Sequence, residues 1–181
     1  MGYAVRHPER IKRLVILNTG AFHLPKAKPL PLGLRICRDT LLGTLLVRGF
    51  NAFSAGASYV GCKRNPMNAA LRSLYQLPYN SWQNRIATLR FVQDIPLSPD
   101  DRGYQLVSSI AAGIEQFSAL PILICWGELD FVFDRHFLAE WQQRFPAAEV
   151  HSYPDCGHYI LEDAKEEIVP LISRFLERTE V

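Results

Sequence analysis

Two short runs in this chain, Leu14–Leu17 and Pro121–Trp126, are apolar at every position, and each is bracketed by residues that stop it. Lys12-Arg13 and Asn18-Thr19-Gly20 flank the first, and Gly127 ends the second. A strand without a polar side needs cover on both faces, which is the setting of a strand inside a parallel sheet sheathed by helices. A third, shorter strand fits Glu149 to Tyr153, and helical spacing fits Phe137 to Phe145 and Ala164 to Leu176. Gly2 to His7 reads as the end of a helix closed by Pro8. Alternation of this kind predicts an α/β fold with a parallel sheet.

The pattern changes in the middle. Pro25, Pro29 and Pro31 mark a crossing, after which apolar residues recur at helical spacing: Leu34, Ile36, Leu41, Leu42 and Leu45, then Phe50, Phe53 and Tyr59, then Trp82, Ile86, Leu89 and Val92. A further helix fits Tyr104 to Phe117. The chain therefore divides into a core segment 1–28, a helical insertion 29–117 and a second core segment 118–181. Three strands are few for a covered parallel sheet, and Leu14–Leu17 would leave an apolar edge open to a pairing partner. The expectation is more sheet on the N-terminal side, supplied by another segment or by self-association through that edge.

Composition narrows the classes. With 48% hydrophobic and 21% charged residues, 181 residues can bury a core. A net charge of +2, with both signs mixed along the chain, gives no basic stripe for nucleic acid. Cys37, Cys62, Cys125 and Cys156 have neither C-x-x-C spacing nor a disulfide pattern, so reduced thiols are expected, without a metal site. No apolar run approaches the ~18 residues that cross a bilayer, and the first residues do not read as a signal peptide, so a cytoplasmic location is expected.

In an open α/β sheet, functional groups gather in the loops after the carboxyl ends of the strands. Three loops qualify: Asn18 to Ala21, Gly127 to Phe133 and Pro154 to Tyr159. In the second, Asp130 could orient a histidine by accepting its Nδ1 proton, although either Asp130 or Asp134 could instead cap the following helix, with Asp134 the better placed. In the third, His158 follows Gly157 at the tip of a turn, and histidine takes and returns a proton near neutrality. His7, His23, His136 and His151 lack such a context and read as structural or exposed.

An acid and a histidine serve a nucleophile, and none is evident. No G-x-S-x-G elbow occurs; Gly56-Ala57-Ser58-Tyr59-Val60-Gly61 has the wrong spacing and sits in a helical pattern. Cys125 belongs to an apolar strand and Cys156 lacks a base of its own.

Tyr3 to Asn18, with the core Arg13-Leu14-Val15-Ile16-Leu17-Asn18, resembles the helix and strand that follow the nucleophile elbow of α/β-hydrolases. Trp126-Gly127-Glu128-Leu129-Asp130 resembles that fold's acid loop, and Pro154-Asp155-Cys156-Gly157-His158-Tyr159 with Leu161-Glu162-Asp163 resembles its histidine loop. Within the superfamily the chain is most similar to the haloalkane dehalogenase-like branch. More narrowly it resembles the β-lactone decarboxylases of bacterial olefin biosynthesis, on Ala21-Phe22-His23-Leu24-Pro25, Tyr79 to Arg85 and Phe91 to Pro96.

The resemblance implies Asp130 as triad acid, His158 as general base and residues 29–117 as a cap over a greasy pocket for a small apolar substrate. It implies neither metal nor organic cofactor. The branch attacks carbon with an aspartate, forming a covalent ester. That aspartate, the tryptophan beside it, the oxyanion loop and five strands would all precede Met1. The chain is thus expected to be the C-terminal part of such an enzyme, or else an inactive fragment or non-enzymatic partner subunit. Asn18, Trp82 and Asn84 are candidate pocket residues, each with an alternative explanation in packing or turns.

Overall fold

The computed structural model describes residues 1–179. Both apolar runs are strands. β1 (Leu14–Leu17), β2 (Ile122–Gly127) and β3 (Glu149–Tyr153) form one parallel sheet in the order β1-β2-β3. Leu14 lies opposite Ile122 and Leu17 opposite Cys125, while Leu123 faces Glu149 and Gly127 faces Tyr153. The central strand is buried at all six positions, which is why its sequence tolerates no polar residue.

Side chains alternate between two separate cores. Ile16, Ile124 and Trp126 pack on one face with Phe22, Phe117, Phe137 and Trp141. Leu123 and Cys125 pack on the other with Tyr153, Ile160, Ile168 and Phe175, joined by Val15 and Leu17. α1 (Gly2–Arg6) leads into β1. α8 (Arg135–Arg144) carries the chain from β2 to β3, and Asp134 caps it by accepting the His136 amide proton at 3.0 Å. A single turn, α9 (Ile160–Asp163), and then α10 (Lys165–Arg178) follow β3.

The connection from β1 to β2 holds the insertion. It contains α2 (Leu32–Asp39), α3 (Leu41–Thr44) running into a π-helical turn (Leu45–Gly49), α4 (Ala52–Val60), α5 (Ala69–Gln76), α6 (Ile86–Gln93) and α7 (Tyr104–Gly113). The periodicity predicts helices here, and the structure breaks them into shorter pieces than that periodicity suggests. Polar residues restart them: Thr40 Oγ1 accepts from the Gly43 amide, and Asn68 Oδ1 from the Leu71 amide, both at 2.9 Å. The helix expected from Tyr104 to Phe117 likewise tightens into a 3-10 turn after Gly113.

Because all three strands run parallel, the loops that leave them lie at one end of the sheet, below the insertion. Among the described residues β1 pairs only with β2.

Candidate active site

At the end of β1 the backbone of Asn18 turns to φ +23°, a left-handed conformation that asparagine tolerates better than most side chains. Asn18 is 5% exposed, and its amide spans the gap to the next loop. The Gly127 amide donates to Asn18 Oδ1 at 2.7 Å, and Asn18 Nδ2 donates to Gly127 O at 2.9 Å and to Asp130 Oδ2 at 3.0 Å. The end of one strand thereby fixes the exit of its neighbour.

The loops after β2 and β3 meet backbone to backbone. The Leu129 amide donates to Cys156 O at 2.9 Å. A methyl group on Gly127 would run into the carbonyl oxygen of Gly157, and one on Gly157 into that of Gly61. Glycine at both positions is what permits the approach.

That approach joins the two predicted residues. Asp130 is 2% exposed, and its Oδ2 lies 2.7 Å from His158 Nδ1. The Val132 amide donates to Asp130 Oδ1 at 2.7 Å, so the carboxylate is held by main chain, Asn18 and imidazole together. A carboxylate accepts only, so Nδ1 carries the proton and the neutral ring keeps its lone pair on Nε2. Phe133 stacks on the imidazole with centroids 5.8 Å apart, and Tyr159 meets it edge-on at 5.2 Å. Such an imidazole can take a proton through Nε2 and return it while the buried carboxylate stabilises the imidazolium.

One residue of this neighbourhood is not singled out by sequence reasoning. Asp163 is fully buried, and its carboxylate accepts from the amides of Lys63 (2.9 Å), Asn65 (2.9 Å) and Gly157 (2.6 Å). It therefore ties the turn between α4 and α5 to the residue before His158. The Tyr159 amide adds a bond to Gly61 O at 3.2 Å. Arg64, on the same turn, grips Asp155 with two bonds of 2.8 and 2.7 Å, and this holds the Asp155 carboxyl below the usual carboxylate range. In the sequence, Asp163 stands out only within Leu161-Glu162-Asp163, where an acid at the start of a helix reads as an ordinary end effect.

His158 opens onto a cavity of about 740 Å³ whose wall is largely aromatic and aliphatic, including Phe22, Phe53, Phe91, Phe131, Phe133 and Tyr159. Asn18 stands behind Asp130 and does not line this space. Trp82 and Asn84 do not line it either, and the contacts they make are local. Trp82 is 42% exposed beneath the Arg48 guanidinium, 4.3 Å from its ring centroid. Asn84 Nδ2 donates to Asn80 Oδ1 at 2.9 Å within its own turn. Conversely His23, which sequence context sets aside, is in the cavity wall, stacked on Tyr104 at 4.0 Å with its Nε2 2.8 Å from Ser108 Oγ.

The alternative nucleophiles are poorly placed. Burial pushes the Cys125 and Cys156 thiols up to about 11, so both stay protonated near neutrality. Ser58 lies within α4 and donates to Ala55 O at 2.7 Å, far from the geometry of an elbow. Among the described residues no group of three or more His, Cys, Asp or Glu could hold a metal ion, and no helix is long and apolar enough to cross a membrane.

Comparison with known proteins places this geometry in a family. The chain is 67% identical over 180 residues to the cis-3-alkyl-4-alkyloxetan-2-one decarboxylase of Shewanella oneidensis, and 48% identical over 177 residues to the enzyme so named in Xanthomonas campestris pv. campestris. These alignments take in 99% and 98% of this chain but 57% and 59% of the relatives, so the chain spans little more than half their length. Among solved structures it is similar to the haloalkane dehalogenases DatA of Agrobacterium tumefaciens and DbeA of Bradyrhizobium elkani. Each superposes with a TM-score of 0.81, at 17% and 20% identity, covering 98% and 99% of this chain and 62% and 63% of theirs. At such identities the likeness speaks for the fold. The sequence pattern of the alpha/beta hydrolase fold matches residues 2–165, and with the parallel sheet, the acid and histidine loops and the helical insertion in place, the chain belongs to the alpha/beta hydrolase fold family.

Proposed function

We propose that this chain supplies the acid, the general base and the cap of a β-lactone decarboxylase, working on an apolar substrate through a covalent aspartyl intermediate in a longer parent protein. One observation carries the reading: His158, its Nδ1 held 2.7 Å from Asp130 Oδ2, lines a large apolar cavity. The relatives at 67% and 48% identity are named for decarboxylating a four-membered cyclic ester with two alkyl substituents, and the cavity has the size and lining that such chains require.

In this scheme Asp130 is the triad acid and His158 the base. Residues 29–117 roof the site, while 1–28 and 118–181 form the core. Asn18 acts as a positioning residue through Asp130. The nucleophilic aspartate would come from a segment before Met1 whose strands extend the sheet beyond β1. The small apolar substrate is the ligand in this reading, and the free edge of β1 would pair with an N-terminal hydrolase half or, without it, with a second copy of the chain. A cytoplasmic location goes with the reading, supported by the four unpaired thiols.

Co-expression with the remaining N-terminal portion of the Shewanella relative tests the proposal. Gas chromatography should detect alkene from a cis-dialkyl β-lactone for the pair and for neither half alone. His158→Ala should abolish it. A folded pair that releases no alkene would overturn the proposal and leave the chain as a non-catalytic member of its fold.

A further inference from the structure

A second cavity, of about 600 Å³, lies on the other side of α4, between that helix, α5 and α6. It shares Phe53, Ala57 and Tyr159 with the main cavity. Tyr159 is the residue after His158, and its ring is 5.2 Å from the imidazole, so the second space ends one aromatic ring away from the base. Both volumes fall in the range of roughly 300–1,000 Å³ typical of small-molecule sites.

Two of the polar side chains that line the second space turn their tips away from it. The Tyr75 hydroxyl donates to Glu162 Oε1 at 2.8 Å, and Thr88 Oγ1 donates to Arg85 O at 2.9 Å, so both polar tips are already engaged. Ser54 Oγ alone is buried there without a partner among the described residues. The dividing wall is thin at Ala57, whose side chain is a single methyl.

We infer that the two cavities form a fork at Tyr159, one arm for each alkyl chain of a cis-3,4-dialkyl β-lactone whose ring sits beside His158. The inference rests on the proposed function above. Two chains on adjacent ring carbons diverge at once, and a single cavity would have to hold them side by side. Two apolar spaces meeting one ring from the base give each chain its own path, with the Tyr159 ring as the partition between them.

The experiment is calorimetric binding of β-lactones to the 181-residue chain, which without a nucleophile should hold them intact. In one series the C3 chain stays long while the C4 chain is lengthened two carbons at a time; in the other the roles are exchanged. Affinity should rise in both, by about fifteenfold per two carbons, from about 0.8 kcal/mol per buried methylene. Leu71→Trp, which fills the second cavity, should flatten one series and spare the other. Ser54→Ala, which removes the unpartnered hydroxyl at little risk to folding, should tighten that same series several-fold. Dependence on one chain only, or on both chains unaffected by either variant, overturns the fork and leaves the single-cavity reading standing. No lactone binding at all by a folded chain overturns the fork, and the alkene assay on the paired halves then decides the proposed function separately.

Discussion

The central strand and the insertion draw on the same apolar residue types and treat them differently. β2 buries every one of its six residues, whereas the insertion leaves Leu41 at 89%, Phe50 at 71% and Phe91 at 69% exposure. In the sheet, β2 is packed on both faces and paired on both edges, and the loops after it are anchored by that packing. In the insertion, short capped helices enclose space. The geometry of acid and base is thus set by elements packed on two sides, and the shape of the cavity by elements packed on one.

The comparison breaks first if the cores do not differ in energy. Trp141 is fully buried under the sheet, and its indole donates to Thr19 O at 2.8 Å. Trp141→Ala should lower the unfolding free energy by roughly 3–5 kcal/mol in urea titration. A loss below about 1 kcal/mol would mean that this core is not what holds the loops.

The seam between the two regions gives the next largest effect. Asp163→Asn replaces one acceptor oxygen with a donor facing main-chain amides, at a cost of about 1–3 kcal/mol. Hydrogen exchange should show faster amides at Lys63, Asn65 and Gly157 together, with β2 unchanged. Loss of protection at only one of the three would split the seam into independent contacts.

A smaller effect separates the regions by pH. Burial pushes Cys125 and Cys156 up to about 11 and Cys62 to about 12, from an ordinary 9.0. The folded state then keeps thiol protons that the unfolded chain loses first, so stability falls as pH rises through and above 9. Melting temperature should decline from pH 9 to 11, and Cys125→Ala should make that decline shallower. An unchanged slope would remove Cys125 from the account. Smallest of all, Leu41→Ser on the exposed face should change stability by no more than about 0.5 kcal/mol.

The sheet is legible in the sequence because two of its strands are uninterrupted apolar runs with clear stops. The apolar runs of β1 and β2 gave the parallel sheet, and the positions of Asp130 and His158 after strand ends placed them on one edge. Asp134 as the cap of α8 followed from a rule about helix starts. Trp82 and Asn84 are harder to place from sequence, because a polar or aromatic residue near a cap helix carries no sign of which side it faces; here they meet Arg48 and Asn80. His23 was set aside for the opposite reason, since the cavity wall it joins is assembled from segments far apart in sequence. Asp163 sits in the Leu161-Glu162-Asp163 stretch of the histidine loop, but its role is not legible there because its three partners are backbone amides, which any residue supplies.

That buried carboxylate also bears on how substrate reaches the site. The turn at Lys63–Asn65 and the residue preceding the base share its oxygens, so lifting this corner of the roof would drag the histidine loop out of register. The strap around Lys28 is no freer, because its ammonium, 2.6 Å from Asp134 Oδ2, also donates to Phe131 O at 3.1 Å, next to the acid. The roof is thus nailed to the acid loop through Lys28 and to the histidine loop through Asp163.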